Sequence, residues 1–318
     1  MHPLKLKPVM KDYLWGGTKL KSEFGYETDK EIAAEGWILS CHKDGENIIL
    51  NGELEGKTLS EALNIWGEKA LGSRASAFDY FPILIKLIDA KQSLSVQVHP
   101  DDKYAMMNEG EYGKTEMWYI VDCEEGAELI YGFKDEISKE EFRKRIEDNT
   151  LTDVCNCVPV HKGDVFFITA GTLRAIGAGI LIAEVQQNSN STYRVYDFGR
   201  VGADGKPREL HIEKALDVTK CEPPKVPYGQ VGKTTVKGQD SYRELAKCSL
   251  FGTGVIKLKD KFSIKTNDSF TSLLVLEGNA HLKWKKGEME LKKGDSIFIP
   301  ADFEVNLTGD AEILSSYV

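Results

Sequence analysis

Gln97, His99 and Glu116 are the residues of this 318-residue chain whose types and spacing could hold a metal ion. Gln97 and His99 stand two apart, so in a strand their side chains leave the same face. Pro100 ends that strand, and Glu116 opens the next aromatic-rich run, Met117-Trp118-Tyr119-Ile120-Val121. An amide oxygen, a neutral imidazole and a carboxylate are suitable donors for a borderline divalent ion such as zinc. Each is also an ordinary hydrogen-bonded strand residue, so the set carries the reading rather than any one member.

The segments around them must supply the positioning. Gly163-Asp164-Val165-Phe166-Phe167-Ile168-Thr169-Ala170 and Gly294-Asp295-Ser296-Ile297-Phe298-Ile299-Pro300-Ala301 form an internal repeat 131 residues apart. A glycine-aspartate turn feeding a β-run is a hairpin device. Its double occurrence among many short strands predicts a mainly β chain of two jelly-roll β-sandwiches. The runs 37–41, 93–98, 117–121, 165–168, 271–276, 280–284 and 296–299 have the β-branched and aromatic content of strands. Helices are few. Thr58-Leu59-Ser60-Glu61 and Ser138-Lys139-Glu140-Glu141 read as capping boxes, and short helices are expected near 101–107 and 212–216. The proline-dense stretch Glu222-Pro223-Pro224-Lys225-Val226-Pro227 reads as a linker. The expected organisation is a domain over 1–222 with helical insertions, a linker over 223–239, and a smaller β domain over 240–318. In the second repeat the slot matching Arg174 is Val305, and no histidine pair precedes the turn, so that domain is expected to carry no metal site.

Composition narrows the function classes. A net charge of −9 argues against a general nucleic-acid binder, because no basic face is available to neutralise phosphates; a local cationic pocket for one small phosphate is compatible with it. No apolar run approaches the roughly 20 residues needed to span a bilayer, and residues 81–88 are both short and interrupted by Lys86. The first residues carry no signal-peptide pattern, so a cytoplasmic setting without membrane association is expected. The six cysteines fit that setting as reduced thiols, and Cys155 and Cys157 lack the two-residue gap of common zinc or redox motifs. Nothing in the sequence fixes the oligomeric state.

The stretch from Gly163 to Arg174 resembles the second cupin motif, which normally has proline at the Thr169 position and histidine at the Arg174 position. Further blocks resemble type I mannose-6-phosphate isomerases in their short Gram-positive form, over nearly the whole chain. They are Gln97-Val98-His99-Pro100, Gly113-Lys114-Thr115-Glu116, the run from Gln186 to Asp197, Trp15-Gly16-Gly17 and Arg208-Glu209-Leu210-His211. The resemblance implies an aldose–ketose isomerase interconverting mannose 6-phosphate and fructose 6-phosphate through an enediol, with a sugar phosphate as its small-molecule partner and one zinc ion as cofactor. It places the metal positions on Gln97, His99, Glu116 and Arg174, the active-site arginine on Arg194, a substrate-side lysine on Lys114 and a cavity carboxylate, a candidate proton shuttle, on Glu184.

Arg174 departs from the pattern. Arginine stays protonated and offers no lone pair to a metal. Two unit charges about 4 Å apart repel by about 4 kcal/mol at an effective dielectric of about 20, and a dication would feel double that. Three readings stay open. Arg174 swings outward and the metal remains on three ligands and water; or it pairs with Glu116 and replaces the metal, its side chain joining Lys114 in substrate binding; or the protein is a catalytically silent sugar-phosphate-binding homologue. His161 is a further ligand candidate, although it precedes the glycine-aspartate turn. An oxygenase-type cupin would want two histidines and a carboxylate, and only one histidine is placed. Arg174→His is expected to raise zinc content and activity together.

Overall fold

The structure, a computed structural model, describes residues 1–201 and 205–318. In the N-terminal part, two antiparallel sheets face each other. One has the spatial order Val165–Ile168, Glu116–Cys123, Ile180–Gln187, Ile83–Ala90, Glu35–Leu39 and Val9–Lys11. The other has the order Cys155–Pro159, Glu128–Phe133, Arg174–Ala175, Val96–Val98 and Tyr193–Tyr196. Trp118, Ile120 and Ile182 of the first pack with Leu129 and Tyr131 of the second and with Ile176, just past Arg174–Ala175, which is the expected β-sandwich.

The central strands Ile83–Ala90 and Ile180–Gln187 are buried along their whole length. Alternation divides their side chains between two cores. Ile88 and Ile182 enter the sandwich, while Ile83, Ile85, Leu87, Leu181, Ala183 and Val185 form the seam with the C-terminal part. The same alternation sends Lys86 and Glu184 to the sandwich side.

The C-terminal part supplies eight strands of a ten-stranded sheet folded over its own apolar core, and Leu4–Lys7 and Ile48–Ile49 supply the other two. Its two long strands, Thr271–Trp284 and Glu304–Tyr317, pair along most of their length. The runs 271–276 and 280–284, expected as separate strands, are one strand. A bulge between Val275 and Glu277 takes up the irregularity without a turn. Leu4–Lys7, from the start of the chain, pairs with Ser296–Ile299 and so belongs to this sheet. Within the segment 223–239 expected as a linker, Thr234–Lys237 pairs with Asp240–Lys247.

The internal repeat is a repeat of structure. Gly163 and Gly294 have φ of 90° and 92°, the left-handed region where glycine is strain-free. Each glycine donates its N–H at 2.8 Å to a strand carbonyl, of Ile120 and Val275 respectively. Asp164 accepts from His161 N at 2.8 Å and Asp295 accepts from Lys292 N at 2.9 Å, closing the same turn twice. Val305, opposite number of Arg174, is fully buried in the C-terminal core.

The expected helices form at Leu59–Trp66, Asp102–Asn108, Lys139–Glu147 and Ile212–Val218. Thr58 makes the reciprocal capping box with Glu61, and Asp101 and Ser138 each cap by accepting an N–H of the first turn. All six cysteines are free.

Candidate active site

Two rows of side chains, one from each facing sheet, meet at the mouth of the N-terminal sandwich. On the shorter sheet, Arg174, Gln97 and Arg194 are register partners across three adjacent strands. On the longer sheet, Trp118, Glu184, Lys86 and Trp37 are partners across four. Adjacent strands lie about 4.8 Å apart, so each row is a ladder of closely spaced polar groups on one face. Glu116 stands two residues before Trp118 and shares its face.

Arg174 fills the point on which the expected ligands converge. Its Nε donates to Glu116 Oε1 at 2.9 Å, its Nη1 to Gln97 Oε1 at 2.8 Å, and its Nη2 to His99 Nε2 and, at 3.4 Å, to Glu116 Oε2. The guanidinium carbon lies 5.0 Å from the centre of the Trp118 ring, a cation–π contact on its flat face. The acceptors are themselves oriented. His99 Nδ1 faces the Ser191 carbonyl at 2.8 Å, which assigns the proton to Nδ1 and turns the Nε2 lone pair toward Arg174. Gln97 Nε2 donates to Ser95 Oγ at 2.7 Å, which turns the amide oxygen the same way. Burial, reinforced by Arg174 and Lys114, holds the His99 imidazole well below its ordinary pKa, so it is neutral.

The sequence-predicted set Gln97, His99, Glu116 and Arg174 is therefore assembled, but its donor chemistry does not fit a dication. The lone pairs that would bind the ion are occupied by a permanent cation. Among the described residues, no group of three or more His, Cys, Asp and Glu side chains is placed to hold a metal. His161 is exposed and lies 3.6 Å from Asp164 at the turn, outside the site.

Lys114 and Glu184 stand beside this centre. Lys114 Nζ lies 3.2 Å from Glu116 Oε2 and 3.4 Å from Glu184 Oε1. Glu184 also accepts from Trp118 Nε1 at 2.7 Å. Sequence reasoning missed Lys86, which is buried 3.7 Å from Glu184 and 3.5 Å from Glu35. Its signal was present, because a lysine inside an otherwise apolar strand must find buried carboxylates. Arg174, Lys114 and Lys86 face Glu116, Glu184 and Glu35, so three basic side chains are matched to three carboxyl groups in the interior.

The two lysines differ in proton affinity. Burial disfavours the charge on both. Glu35 and Glu184 overcome it at Lys86 and hold that ammonium above the ordinary lysine value. At Lys114 burial wins, with Lys86 and Arg174 adding to it, and the amine lies below the ordinary value. Burial would raise Glu184, but Lys114, Lys86 and Arg174 hold it well below the usual carboxylate range.

A cavity of about 200 Å³ opens over these groups, with Lys86, Lys114, Glu184 and Arg174 on its floor and Arg194 and Arg208 on its wall. Arg194 donates to Ser95 Oγ at 3.3 Å and to the Glu209 carbonyl at 2.9 Å. It does not pair with Asp197, which is taken by Arg200 and Arg208.

The chain matches the family model "Phosphomannose isomerase type I, catalytic domain" over residues 4–132 and "Mannose-6-phosphate isomerase, cupin domain" over residues 241–318. It is 39 % identical over 318 residues to mannose-6-phosphate isomerase ManA of Bacillus subtilis, covering 99 % of each chain. It is 38 % identical to a mannose-6-phosphate isomerase of Streptococcus mutans, covering 99 % of this chain and 98 % of that one. The crystal structure of the mannose 6-phosphate isomerase from Bacillus subtilis superimposes with a TM-score of 0.92 at 35 % identity over 100 % of both chains.

Proposed function

The chain belongs to the type I phosphomannose isomerases and is an aldose–ketose isomerase, and we propose how its own residues carry the interconversion of mannose 6-phosphate and fructose 6-phosphate. The observation that carries the reading is one small cavity at which the facing rows bring Lys86, Glu184, Arg174 and Arg194 together with Lys114, whose amine lies below the ordinary lysine value. In the open-chain aldose a base removes the proton from C2 and O1 takes up the charge of the enediolate. The proton returns to C1, the O2 proton passes to O1, and the ketose results with atoms and charge balanced. The costly species is the enediolate, which needs preorganised positive charge.

Lys114 is a better proton carrier than Glu184. Burial, with Lys86 and Arg174, makes its amine give up a proton more readily than an ordinary lysine, as a general base requires, whereas Glu184 is so well compensated by neighbouring cations that its carboxylate is a weak base. Glu184 then acts by holding Lys86 and Lys114 in place. Arg194, on the wall and with Nη2 unengaged among the described residues, contacts the anionic substrate. Zinc, which the sequence resemblance implied, does not suit the donor set that Arg174 occupies. No helix among the described residues is long and apolar enough to cross a membrane, and a cytoplasmic setting remains the reading of the sequence.

A coupled assay of mannose 6-phosphate conversion tests this. The protein should turn over, and Lys114→Met should lower kcat by about 10²–10⁴-fold, the usual span for a general base. Arg194→Ala should raise KM. Binding of the sugar phosphate without turnover would leave the silent homologue as the correct reading.

A further inference from the structure

We infer that the Arg174 guanidinium is a built-in replacement for a divalent cation, so that this chain isomerises its substrate without a bound metal. The inference rests on the isomerase reading and extends it to the identity of the electrophile.

Three features of the centre point the same way. First, the match is atom for atom: three inward-facing acceptors, Gln97 Oε1, His99 Nε2 and Glu116 Oε1, each receive a different nitrogen of one planar group. Ser95 and Ser191 fix the orientation of two of those acceptors from behind. An arginine merely tolerated at this slot would need only Glu116. Second, the charge is settled locally. Glu116 neutralises the guanidinium within a fully buried pair stacked on Trp118, and a further dication would find no free carboxylate among its neighbours. Third, the group is not fully consumed. Of its five N–H bonds, one goes from Nε to Glu116, one from Nη1 to Gln97 and two from Nη2 to His99 and Glu116. The remaining Nη1 N–H has no partner among the described residues, and Arg174 and Gln97 both line the cavity, whereas His99 and Glu116 do not.

That free N–H is placed to donate a charge-assisted hydrogen bond to the substrate oxygen on which the enediolate charge develops. Arginine gives up no proton in the process, so the proton inventory of the reaction is unchanged. The guanidinium supplies fixed positive charge at the position where a cation would otherwise have to be recruited from solution.

The test uses the full-length protein expressed in zinc-supplemented medium. Metal content is measured by plasma mass spectrometry, Zn²⁺ binding by calorimetry, and turnover of mannose 6-phosphate before and after exhaustive EDTA dialysis. The expected result is substoichiometric metal, no Zn²⁺ binding heat at this site, and turnover unchanged by EDTA. Arg174→His should gain one equivalent of Co²⁺ with the visible absorption of a four-coordinate site, rise in thermal midpoint on adding Zn²⁺, and become EDTA-sensitive. Arg174→Met should lose about 10²–10³-fold in kcat, as on removal of one oxyanion donor.

Stoichiometric metal in the natural protein, or EDTA-abolished turnover restored by Zn²⁺, would overturn the inference and leave the isomerase standing. No turnover with or without metal would instead defeat the isomerase reading on which the inference depends. The calorimetric contrast between the natural protein and Arg174→His reads metal occupancy even then.

Discussion

A buried lysine with two carboxylates within reach is tuned by each of them. Burial opposes the protonated form of Lys114, as do Lys86 and Arg174, while Glu116 and Glu184 favour it. If the amine is the base, kcat/KM should rise with pH through an apparent pKa below the ordinary lysine value, because the enzyme is active when Lys114 is deprotonated. Replacing Glu184 by Gln removes a negative neighbour, destabilises the ammonium and lowers that pKa further. The acidic limb of the pH–rate profile should therefore move to lower pH in Glu184→Gln. A limb that moves to higher pH, or does not move, would place the titrating base elsewhere. At this scale the sequence was legible where a strand periodicity or an internal repeat tied residues together. Gln97 and His99 share a face by spacing, and the repeat singled out Arg174 by contrast with Val305. Glu35 and Lys86 lay outside both signals. Their pairing depends on which strands become neighbours, and separation along the chain does not encode that.

The strands act as rulers. Arg174, Gln97 and Arg194 reach one cavity because three strands from distant parts of the chain adopt a single register, and a slip of one residue would turn each side chain to the opposite face. The turn before Glu116 sets where Lys114 begins. Gly113 donates its N–H to Asp102 Oδ1 at 2.8 Å, and a Cβ there would lie 2.4 Å from the carbonyl carbon of Asp101. Neither the Asp101 carbonyl carbon nor the Asp102 nitrogen, 2.5 Å away, can move as a flexible side chain could. Gly113→Ala should therefore displace the Lys114 turn, cost about 1–3 kcal/mol by overpacking, and lower kcat more than it raises KM. Urea unfolding and steady-state kinetics together check this; near-normal values of both would show that the turn relaxes freely. The existence of these strands was readable from their β-branched and aromatic content. Their order and register were not, because both are decided by contacts between residues tens to hundreds of positions apart.

On the scale of the whole molecule, the active-site sandwich and the C-terminal sheet share one seam. Leu4–Lys7 crosses from the chain start into the C-terminal sheet, and Phe81 stacks on Phe270, which in turn stacks on Phe298, with centroids 5.3 and 5.2 Å apart. The reverse faces of the strands that carry Lys86, Glu184 and Glu116 are buried in the same seam, through Ile85, Leu87, Ala183, Val185 and Met117. The expected division into residues 1–222 and 240–318 does not separate the sheets, because Leu4–Lys7 lies in the C-terminal one, and the two parts should fold as one unit. Phe270 is fully buried at the centre of the stack, so Phe270→Ala should cost about 3–5 kcal/mol. Far-UV circular dichroism and tryptophan fluorescence should report that loss in a single coincident transition, because Trp37 and Trp118 lie on one side of the seam and Trp284 on the other. Two resolved transitions, with only the C-terminal one shifted, would mean that each part holds its own fold and that the seam merely joins them. A single shifted transition would mean that the C-terminal sheet, although it has no counterpart of Arg174, helps fix the rows of the active site by burying their backs.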